Sequence, residues 1–434
     1  MSDEIVINPF THTYRMDHPK LRNVEVFPVD IEGQQLIAFR DPLRMSENII
    51  FLPAQALPVV SMFDGKHSIL DIQAAYMRSH GALLYSDQIL EVASSLDENY
   101  LLESDRFFDH LAKLEREFSA SPDRKAWLAG NGYEENPEAL RSFLDRLFLD
   151  RQGPGSRPRR NPVPRGLRGF IAPHIDFSRG GPCYAWAYRE TAEHSAADVF
   201  ILLGTLHAPS KRLFIISRKN FQTPFGTLSA DQNIIERLDR SLGPAYFADE
   251  FLHRSEHSIE FQTVFLSYLF SGLRKVTIVP ILCGSFYELM CRRQSPSDVE
   301  EVNTFIDTLR EAVAEDGRRI CLVAGADLAH VGPQFGDAQR ITPSSLQTVR
   351  AKDLAMLDRV IAGDAEGFYA YVEKEHDDRK ICGLPPIYLL LRLLRESEGR
   401  LLNYGQWCDP SGIGAVTFAS LVFYEARQGC QGIA

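Results

Sequence analysis

The sequence predicts an α/β protein in which a small α+β unit precedes a larger three-layer domain built on a mostly parallel sheet. Three observations support this prediction: the length of 434 residues, an alternation of short β-branched runs with longer helical stretches after residue 166, and a different pattern before residue 105. A chain of this length exceeds one ordinary hydrophobic core and indicates two domains, or three. Alternating strands and helices are typical of a three-layer α/β domain.

The composition is that of a globular protein, with 44% hydrophobic and 24% charged residues. The net charge of -11 repels phosphate backbones, so we expect no nucleic-acid partner. One basic run, Arg151 to Arg168, is the alternative because it concentrates positive charge locally.

No stretch approaches the ~20 apolar residues of a membrane-spanning helix, and the polar start Met1 to Asn8 does not resemble a signal peptide. We therefore expect a cytoplasmic protein without membrane contact. The seven cysteines are scattered and form no C-x-x-C pair, which argues against a disulfide framework and a zinc ribbon.

The first part of the chain predicts a winged-helix unit, with strands near residues 34–40 and 48–52 and helices beginning near Pro53, Ser68 and Ser86. Its segment FDGKHSILDI, residues 63–72, resembles the PqqD-like peptide-recognition domain found beside radical enzymes that modify peptides. A simple helical cap is the alternative. We assign residues 1–117 to this unit and 118–434 to the larger domain, which includes a Pro/Arg-rich loop at 151–166.

The larger domain is predicted to alternate strands and helices from residue 169 onward. Its strands are expected at residues 169–172, 199–203, 213–217, 276–282, 320–323, 401–404 and 416–423. Its helices are expected at residues 184–193, 233–241, 261–270, 299–314, 345–361, 365–373 and 386–395.

Four of these predicted strands run directly into residues of the types that can bind metals or transfer protons. These residues are His174 after the first strand, His207 after the second, Asp327 and His330 after the fifth, and Cys408 after the sixth. In open α/β sheets the ligand crevice lies at the carboxyl ends of the strands. Imidazoles and a thiol held there by a rigid frame can coordinate a cation at ~2.0 to 2.3 Å.

Several short motifs occur in the order in which Memo proteins carry their equivalents. They are Pro-His at 173–174, GTLH at 204–207, TPFGTL at 223–228, EHSIE at 256–260, VPIL at 279–282, DLAH at 327–330 and ICG at 381–383. The resemblance spans nearly everything after Ala129 and is closest to protein B of the AmmeMemoRadiSam system. It implies a fold like that of the class III extradiol (LigB-like) dioxygenases, in which non-haem iron is held by two histidines and a carboxylate.

Carried over by position, the resemblance implies that His174 and His207 are metal ligands and that Cys408 is the third. Asp327 and His330 fall on the motif that carries the acid–base histidine of the ring-cleaving relatives, and His257 is a further candidate for the pocket. We expect iron as the cofactor, with copper or zinc as alternatives because a thiolate makes the site softer. Ala208 and Leu206 depart from the family pattern, where histidine and a serine-type residue are more frequent.

Other polar residues near these motifs have simpler interpretations. Glu256 and Glu260 lie in a first helical turn, where carboxylates usually cap the helix. Asp176 either orients His174 or caps a turn. We expect Cys382 to be a packing or loop residue, with a place near the site as the alternative.

Three functions are compatible with these residues. The first is a metal-dependent oxidoreductase or hydrolase acting on a small aromatic or peptide-borne group. The second is a non-catalytic adaptor that binds a peptide and works with radical SAM and AMMECR-like proteins of the same system. The third is a metal-handling protein, and the sequence does not rank the last two.

Overall fold

The computed structural model describes residues 16–31, 33–46, 48–159, 166–394 and 397–426. The expectations for Met1 to Asn8, and for residues 160–165 of the Pro/Arg-rich loop, lie outside the described residues. The chain divides into two compact units, Met1–Ala120 and Ser121–Ala434.

The first unit is an antiparallel three-stranded sheet followed by four helices. Its strands are β1 (Glu25–Ile31), β2 (Gln34–Arg40) and β3 (Ile50–Pro53), and its helices are α1 (Leu57–Val60), α2 (Ile69–His80), α3 (Ser86–Glu98) and α4 (Asp105–Ala120). Helix α2 begins where Ser68 and Asp71 form a capping box, and it ends at Gly81, whose φ is 65°. Phe39, Ile72 and Ile89 are fully buried and form part of the core of this unit. The predicted strands and helices are found here, with β1 and α4 as additions.

The second unit contains the remaining strands and helices. The strands are β4 (Asp123–Arg124), β5 (Leu167–Ala172), β6 (Val199–Thr205), β7 (Phe214–Ile216), β8 (Asn220–Thr223), β9 (Gly226–Ala230), β10 (Thr277–Cys283), β11 (Ile320–Gly325), β12 (Asp327–Val331), β13 (Ser397–Cys408) and β14 (Ala415–Glu425). The helices are α5 (Pro137–Leu149), α6 (Phe177–His194), α7 (Gln232–Leu242), α8 (His257–Phe270), α9 (Tyr287–Cys291), α10 (Glu300–Asp316), α11 (Pro343–Ile361), α12 (Ala365–Lys374) and α13 (Leu384–Leu393).

The sheet of the second unit is mixed rather than mostly parallel. The order β12-β14-β5-β11-β6-β10-β9-β8-β4 runs through it, with β13 beside β14 and β7 beside β10. The strands β5, β11, β6, β10 and β9 are parallel neighbours, whereas β14 pairs antiparallel with β5. Because β5, β11 and β6 are adjacent and parallel, their carboxyl ends meet at one edge of the sheet.

Side-chain alternation along the central strands creates two hydrophobic layers. On β6, Ile201 and Leu203 pack with helices α7, α10, α11, α12 and α13, while Phe200 and Leu202 pack with α5, α6 and α8. All four side chains are completely buried. Strands covered on both faces therefore have nearly continuous apolar sequences, as in other three-layer α/β domains.

Among the described helices, none is both long enough and apolar enough to cross a lipid bilayer.

Candidate metal centre

Three histidines converge at the carboxyl edge of the sheet. His174 follows β5, His207 follows β6, and His257 is the first residue of α8. One ring nitrogen from each lies within 4.8 Å of the others. The ring centroids of His174 and His207 are 5.0 Å apart, and those of His207 and His257 are 4.8 Å apart. We call these three residues the histidine cluster.

A buried carboxylate orients two of the three imidazoles. Glu256 lies 3.1 Å from the Nδ1 of His207 and 3.1 Å from the Nδ1 of His257. It also accepts the backbone N–H groups of His207, His257 and Ser258 at 3.0, 2.8 and 3.0 Å. Because Nδ1 of each ring donates to this carboxylate, the Nε2 lone pair of each ring is free for a metal.

The third imidazole is oriented by the backbone. The Nδ1 of His174 lies 2.9 Å from the carbonyl oxygen of Gly325, and its backbone N–H donates to Oδ1 of Asp327 at 2.9 Å. His174 is only 2% exposed. The Nε2 atom is therefore the ring nitrogen of His174 left without a backbone hydrogen bond, and Nε2 is likewise the available ring nitrogen of His207 and His257.

Helix α8 reaches the site because glycines let it approach the strand ends. A Cβ added to Gly204 would lie 2.6 Å from Oγ of Ser258, and one added to Gly325 would lie 2.5 Å from the carbonyl oxygen of Ser258. The first turns of α8 also bind the strand ends directly, since Ser258 donates to the carbonyl of Thr205 at 2.7 Å and Gln262 to that of Pro173 at 2.8 Å. These contacts place Glu256 and His257 beside the two strand-end histidines.

A thiol and a second carboxylate face the Nε2 of His174. The sulfur of Cys382 lies 3.3 Å from this nitrogen, and Oδ2 of Asp327 lies 3.6 Å from it. Burial raises the pKa of the Cys382 thiol well above its usual value, and the charge of Asp327 adds to that shift. Burial also raises the pKa of Asp327, against the opposing effect of His330. These two groups supply further sulfur and oxygen donors to the site.

The charge states of the histidines suit a metal centre in different ways. Burial lowers the pKa of His174 well below its usual value, and the neighbouring His207 and His257 lower it further. Burial also acts to lower the pKa of His207, but the Glu256 carboxylate outweighs it and the pKa of His207 is raised. The pKa of Glu256 is well below its usual value because both imidazoles oppose the effect of its burial. A neutral His174 and an ionised Glu256 are the forms that metal coordination needs.

His330 lies at the margin of the histidine cluster. Burial lowers the pKa of His330 to about 4. The charge of Asp327 opposes this shift, whereas His174 and His207 add to it. Its backbone N–H donates to the carbonyl of Arg379 at 2.7 Å. Its ring packs edge-on against Phe335 at a centroid distance of 5.1 Å. His330 is therefore a neutral imidazole at physiological pH.

The predicted third ligand, Cys408, does not join the histidine cluster. Its thiol lies 3.4 Å from the carbonyl oxygen of Asp409 and packs against the core on the far face of the sheet. In the strand register Cys408 pairs with Ala415, which in turn pairs with Val331 on that same face. The neighbouring Trp407 points to the opposite face, beside Ile175. Strand alternation thus directs the thiol away, and His257 takes the third position in the cluster.

Two further carboxylates have roles that the sequence left open. Asp176 caps the start of α6, because its side chain accepts the N–H of Arg179, and Gly325 rather than Asp176 is bonded to the His174 ring. Glu260 is fully buried away from the cluster, where it binds Arg124, Tyr133 and the N–H of Leu128.

Sequence reasoning missed two contributors to the site. Glu256 was interpreted as a helix cap only, although its position directly before His257 was a usable signal for a histidine-orienting carboxylate. Cys382 was assigned mainly to packing, because no strand was predicted directly before it. The hydroxyl of Thr205 donates to the carbonyl of Cys382 at 3.3 Å, and this hydrogen bond holds the loop of Cys382 against the end of β6.

Comparison with known proteins relates most of the second unit to one family. The family model described as Memo-like protein matches residues 124–422. A MEMO1 family protein of Aquifex aeolicus is 27% identical over 409 residues, covering 94% of this chain and all of the relative. A MEMO1 family protein of Desulfurococcus amylolyticus is 29% identical over 69% of this chain and 99% of its own length. One of Sulfolobus acidocaldarius is 31% identical over 66% of this chain and 93% of its own length.

Proposed function

Because the chain belongs to the Memo family, we propose that it is a metal-dependent oxidoreductase with one mononuclear centre held by His174, His207 and His257. The observation that carries the proposal is the convergence of these three rings, each with Nδ1 hydrogen-bonded so that Nε2 is the candidate ligand atom. Iron is the proposed metal, with copper or zinc as alternatives. The proposed substrate is a small aromatic or peptide-borne group.

The donor set fits a divalent transition metal. Three imidazole ligands suit zinc, copper and iron alike, and oriented rings with hydrogen-bonded Nδ1 atoms are the usual arrangement at such sites. The Cys382 thiol is a candidate fourth ligand, since it lies 3.3 Å from the His174 nitrogen. A metal lowers the pKa of a coordinated thiol, which offsets the effect of burial at Cys382.

When bound, a metal of this kind supplies Lewis acidity and, for iron or copper, one-electron chemistry. The protein residues supply the remaining functions. Neutral His330 accepts a proton from a substrate hydroxyl and returns it later. Asp327 accepts the backbone N–H of His174 with one carboxylate oxygen and presents the other oxygen to the same pocket.

The wider biological setting follows from the family resemblance. We propose a fold like that of the class III extradiol dioxygenases and membership in an AmmeMemoRadiSam system, with radical SAM and AMMECR-like proteins as partners. The first unit is then a PqqD-like module that binds a peptide substrate. The Aquifex relative supports a shared two-unit architecture, because its match covers 94% of this chain.

The test is metal content after anaerobic purification of the full chain. We expect close to one metal per chain in the native protein and loss of that metal in His174→Ala, with the urea unfolding transition retained. Cys382→Ser should alter the absorption spectrum of the iron or cobalt form, whereas the matched variant Cys408→Ser should not.

Unchanged metal occupancy in His174→Ala would contradict the proposed site. A bound metal that exchanges freely, with no oxidation of any tested substrate, would favour the metal-handling alternative. Copurification with a radical SAM protein and no turnover by the chain alone would favour the adaptor.

A further inference from the structure

We propose that the cavity beside His207 and Cys382 binds a compact single-ring amine, with the ammonium group directed at Asp377. This inference rests on the proposed function, because it names the class of ligand that the metal centre would act on. It is drawn from the size of the cavity, the chemistry of its walls and the geometry of one loop.

The size of the cavity limits the ligand to one ring. Its volume is about 170 Å³, and it reaches from Thr205 and His207 to the loop that carries Asp377 and Cys382. An engineered protein cavity of ~150 Å³ holds a benzene molecule. A six-membered ring with one or two further atoms therefore fits within it.

The walls of the cavity suit a ring. Leu206, Phe286, Met290 and Leu384 line it with apolar atoms, and Phe286 is buried to 1% exposure. His207 and Cys382 also line it. The lining includes one carboxylate, that of Asp377, and one ammonium, that of Lys380. A ligand with an apolar body and a polar group at one end matches this division.

Asp377 presents an unused acceptor to the cavity. Its Oδ1 accepts the backbone N–H of Ile381 at 2.7 Å, and no described residue donates a hydrogen bond to its Oδ2. Lys380 also lines the cavity, but its ammonium is held by Asp337 at 2.6 Å and by the carbonyl of Asp378. Asp377 therefore offers the cavity a carboxylate oxygen without a donor, which favours a cationic ligand.

The loop is held rigidly in this conformation. His376, Asp377 and Lys380 have φ values of 54°, 52° and 52°, which residues other than glycine seldom adopt. Arg379 secures the loop by binding the buried carboxylate of Asp353 and Oε2 of Glu375. Strained backbone of this kind persists when the surrounding structure holds it, and it is concentrated at ligand-binding segments.

The local charge favours an amine over an acid. Asp337 pairs with the ammonium of Lys380, the further carboxylates Asp377 and Asp378 belong to the same loop, and the guanidinium of Arg379 pairs with Asp353 and Glu375. A carboxylate ligand would meet this excess of negative charge. An ammonium group would gain a charge-assisted hydrogen bond at Asp377.

The experiment measures binding of three near-isosteric probes to the full chain by calorimetry, in metal-free and zinc-loaded forms. The probes are benzylamine, benzyl alcohol and benzoate. We expect benzylamine to bind about ten-fold more tightly than benzoate, since one charge-assisted hydrogen bond is worth at least that factor. Equal affinity for the amine and the acid would overturn the proposal, as would no binding of benzylamine.

Paired variants locate the binding. Asp377→Asn retains the acceptor for Ile381 and tolerates the left-handed backbone, so it should lower benzylamine affinity about ten-fold and leave benzyl alcohol unchanged. Asp378→Asn is the control, because Asp378 does not line the cavity. Met290→Trp should block all three probes, whereas Glu288→Trp, on the exposed side of α9, should not. Binding that survives Met290→Trp in a folded protein would place the ligand elsewhere.

The two proposals fail separately. Benzylamine binding without any metal binding would remove the metal centre and keep the pocket. Metal binding without benzylamine binding would keep the centre and remove the proposed ligand class.

Discussion

Two buried carboxylates lie one turn apart at the start of helix α8, Glu256 as its N-cap and Glu260 in its first turn, and they face different partners. Glu256 binds the imidazoles of His207 and His257 at the edge of the sheet. Glu260 is completely buried and binds the guanidinium of Arg124, the hydroxyl of Tyr133 and the N–H of Leu128. We call Arg124, Leu128, Tyr133 and Glu260 the Glu260 cluster.

The difference lies in the partners rather than in the carboxylates. Arg124 also donates to the carbonyls of His253 and Glu256 at 2.9 Å each. The Glu260 cluster thus holds the start of α8 in place. The imidazoles at Glu256 have ring nitrogens that can bind a metal, so the same helix turn carries a structural pair and a functional pair.

The largest expected effect is on stability at the Glu260 cluster. Glu260→Gln leaves the buried guanidinium of Arg124 without a counter-ion, which should lower the free energy of unfolding by about 3 to 5 kcal/mol. Urea denaturation measures it. Glu288→Gln is the control, because that carboxylate is 80% exposed in its pair with Arg292. A loss no larger than that of the control would mean that the pair is not structural.

The next effect is on metal affinity at Glu256. Glu256→Gln removes the negative charge that orients and polarises two ligand imidazoles, so metal affinity should fall by about 10- to 100-fold. Competition titration with a chelating dye measures it. Glu260→Gln serves as the matched variant and should leave the affinity of the folded fraction within about three-fold. Equal losses in both variants would erase the distinction between the two carboxylates.

A third effect concerns the pH dependence of stability at His253, whose carbonyl accepts a hydrogen bond from Arg124. His253 is buried, its ring lies 3.1 Å from the carbonyl of Ile215, and burial lowers its pKa to about 3. In the unfolded chain this histidine binds a proton with a pKa near 6.5. The stability that neutral His253 contributes is therefore present above that pH and is lost as the pH falls toward the folded pKa. Between pH 7 and pH 5 the loss from His253 should be about 2 kcal/mol.

His253→Gln retains a donor to the Ile215 carbonyl and removes the titrating group. Urea titrations of both proteins at several pH values should therefore show a shallower pH dependence in the variant. Parallel curves for the two proteins would exclude His253 as a source of acid sensitivity.

The smallest effect is expected at Asp176, a carboxylate that contacts neither cluster. Asp176→Ala removes the side-chain cap of α6 and should lower the free energy of unfolding by about 1 kcal/mol. Metal affinity should not change, because the His174 ring is bonded to Gly325 instead. Weaker metal binding in this variant would show that Asp176 orients His174 after all.

The sequence predicted the central strands and most helices of the second unit, because their apolar runs are continuous and bounded by polar turns. It did not reveal β12, whose five residues include Asp327 and His330. It also predicted a mostly parallel sheet, whereas the antiparallel strands β12, β13 and β14 make the sheet mixed. Pairing direction depends on residues far apart in the chain, and local patterns do not encode it.

The sequence by itself predicted that His174 and His207 lie at one edge of the sheet, since each follows the carboxyl end of a predicted parallel strand. The structure separates those two strands, β5 and β6, by β11. Only the tertiary structure decided the third member of the cluster. Strand register turns the Cys408 thiol to the far face, and the close approach of α8 to Gly204 and Gly325 brings His257 inward. Both outcomes depend on packing between distant segments, and a contact of that kind has no signature in either segment alone.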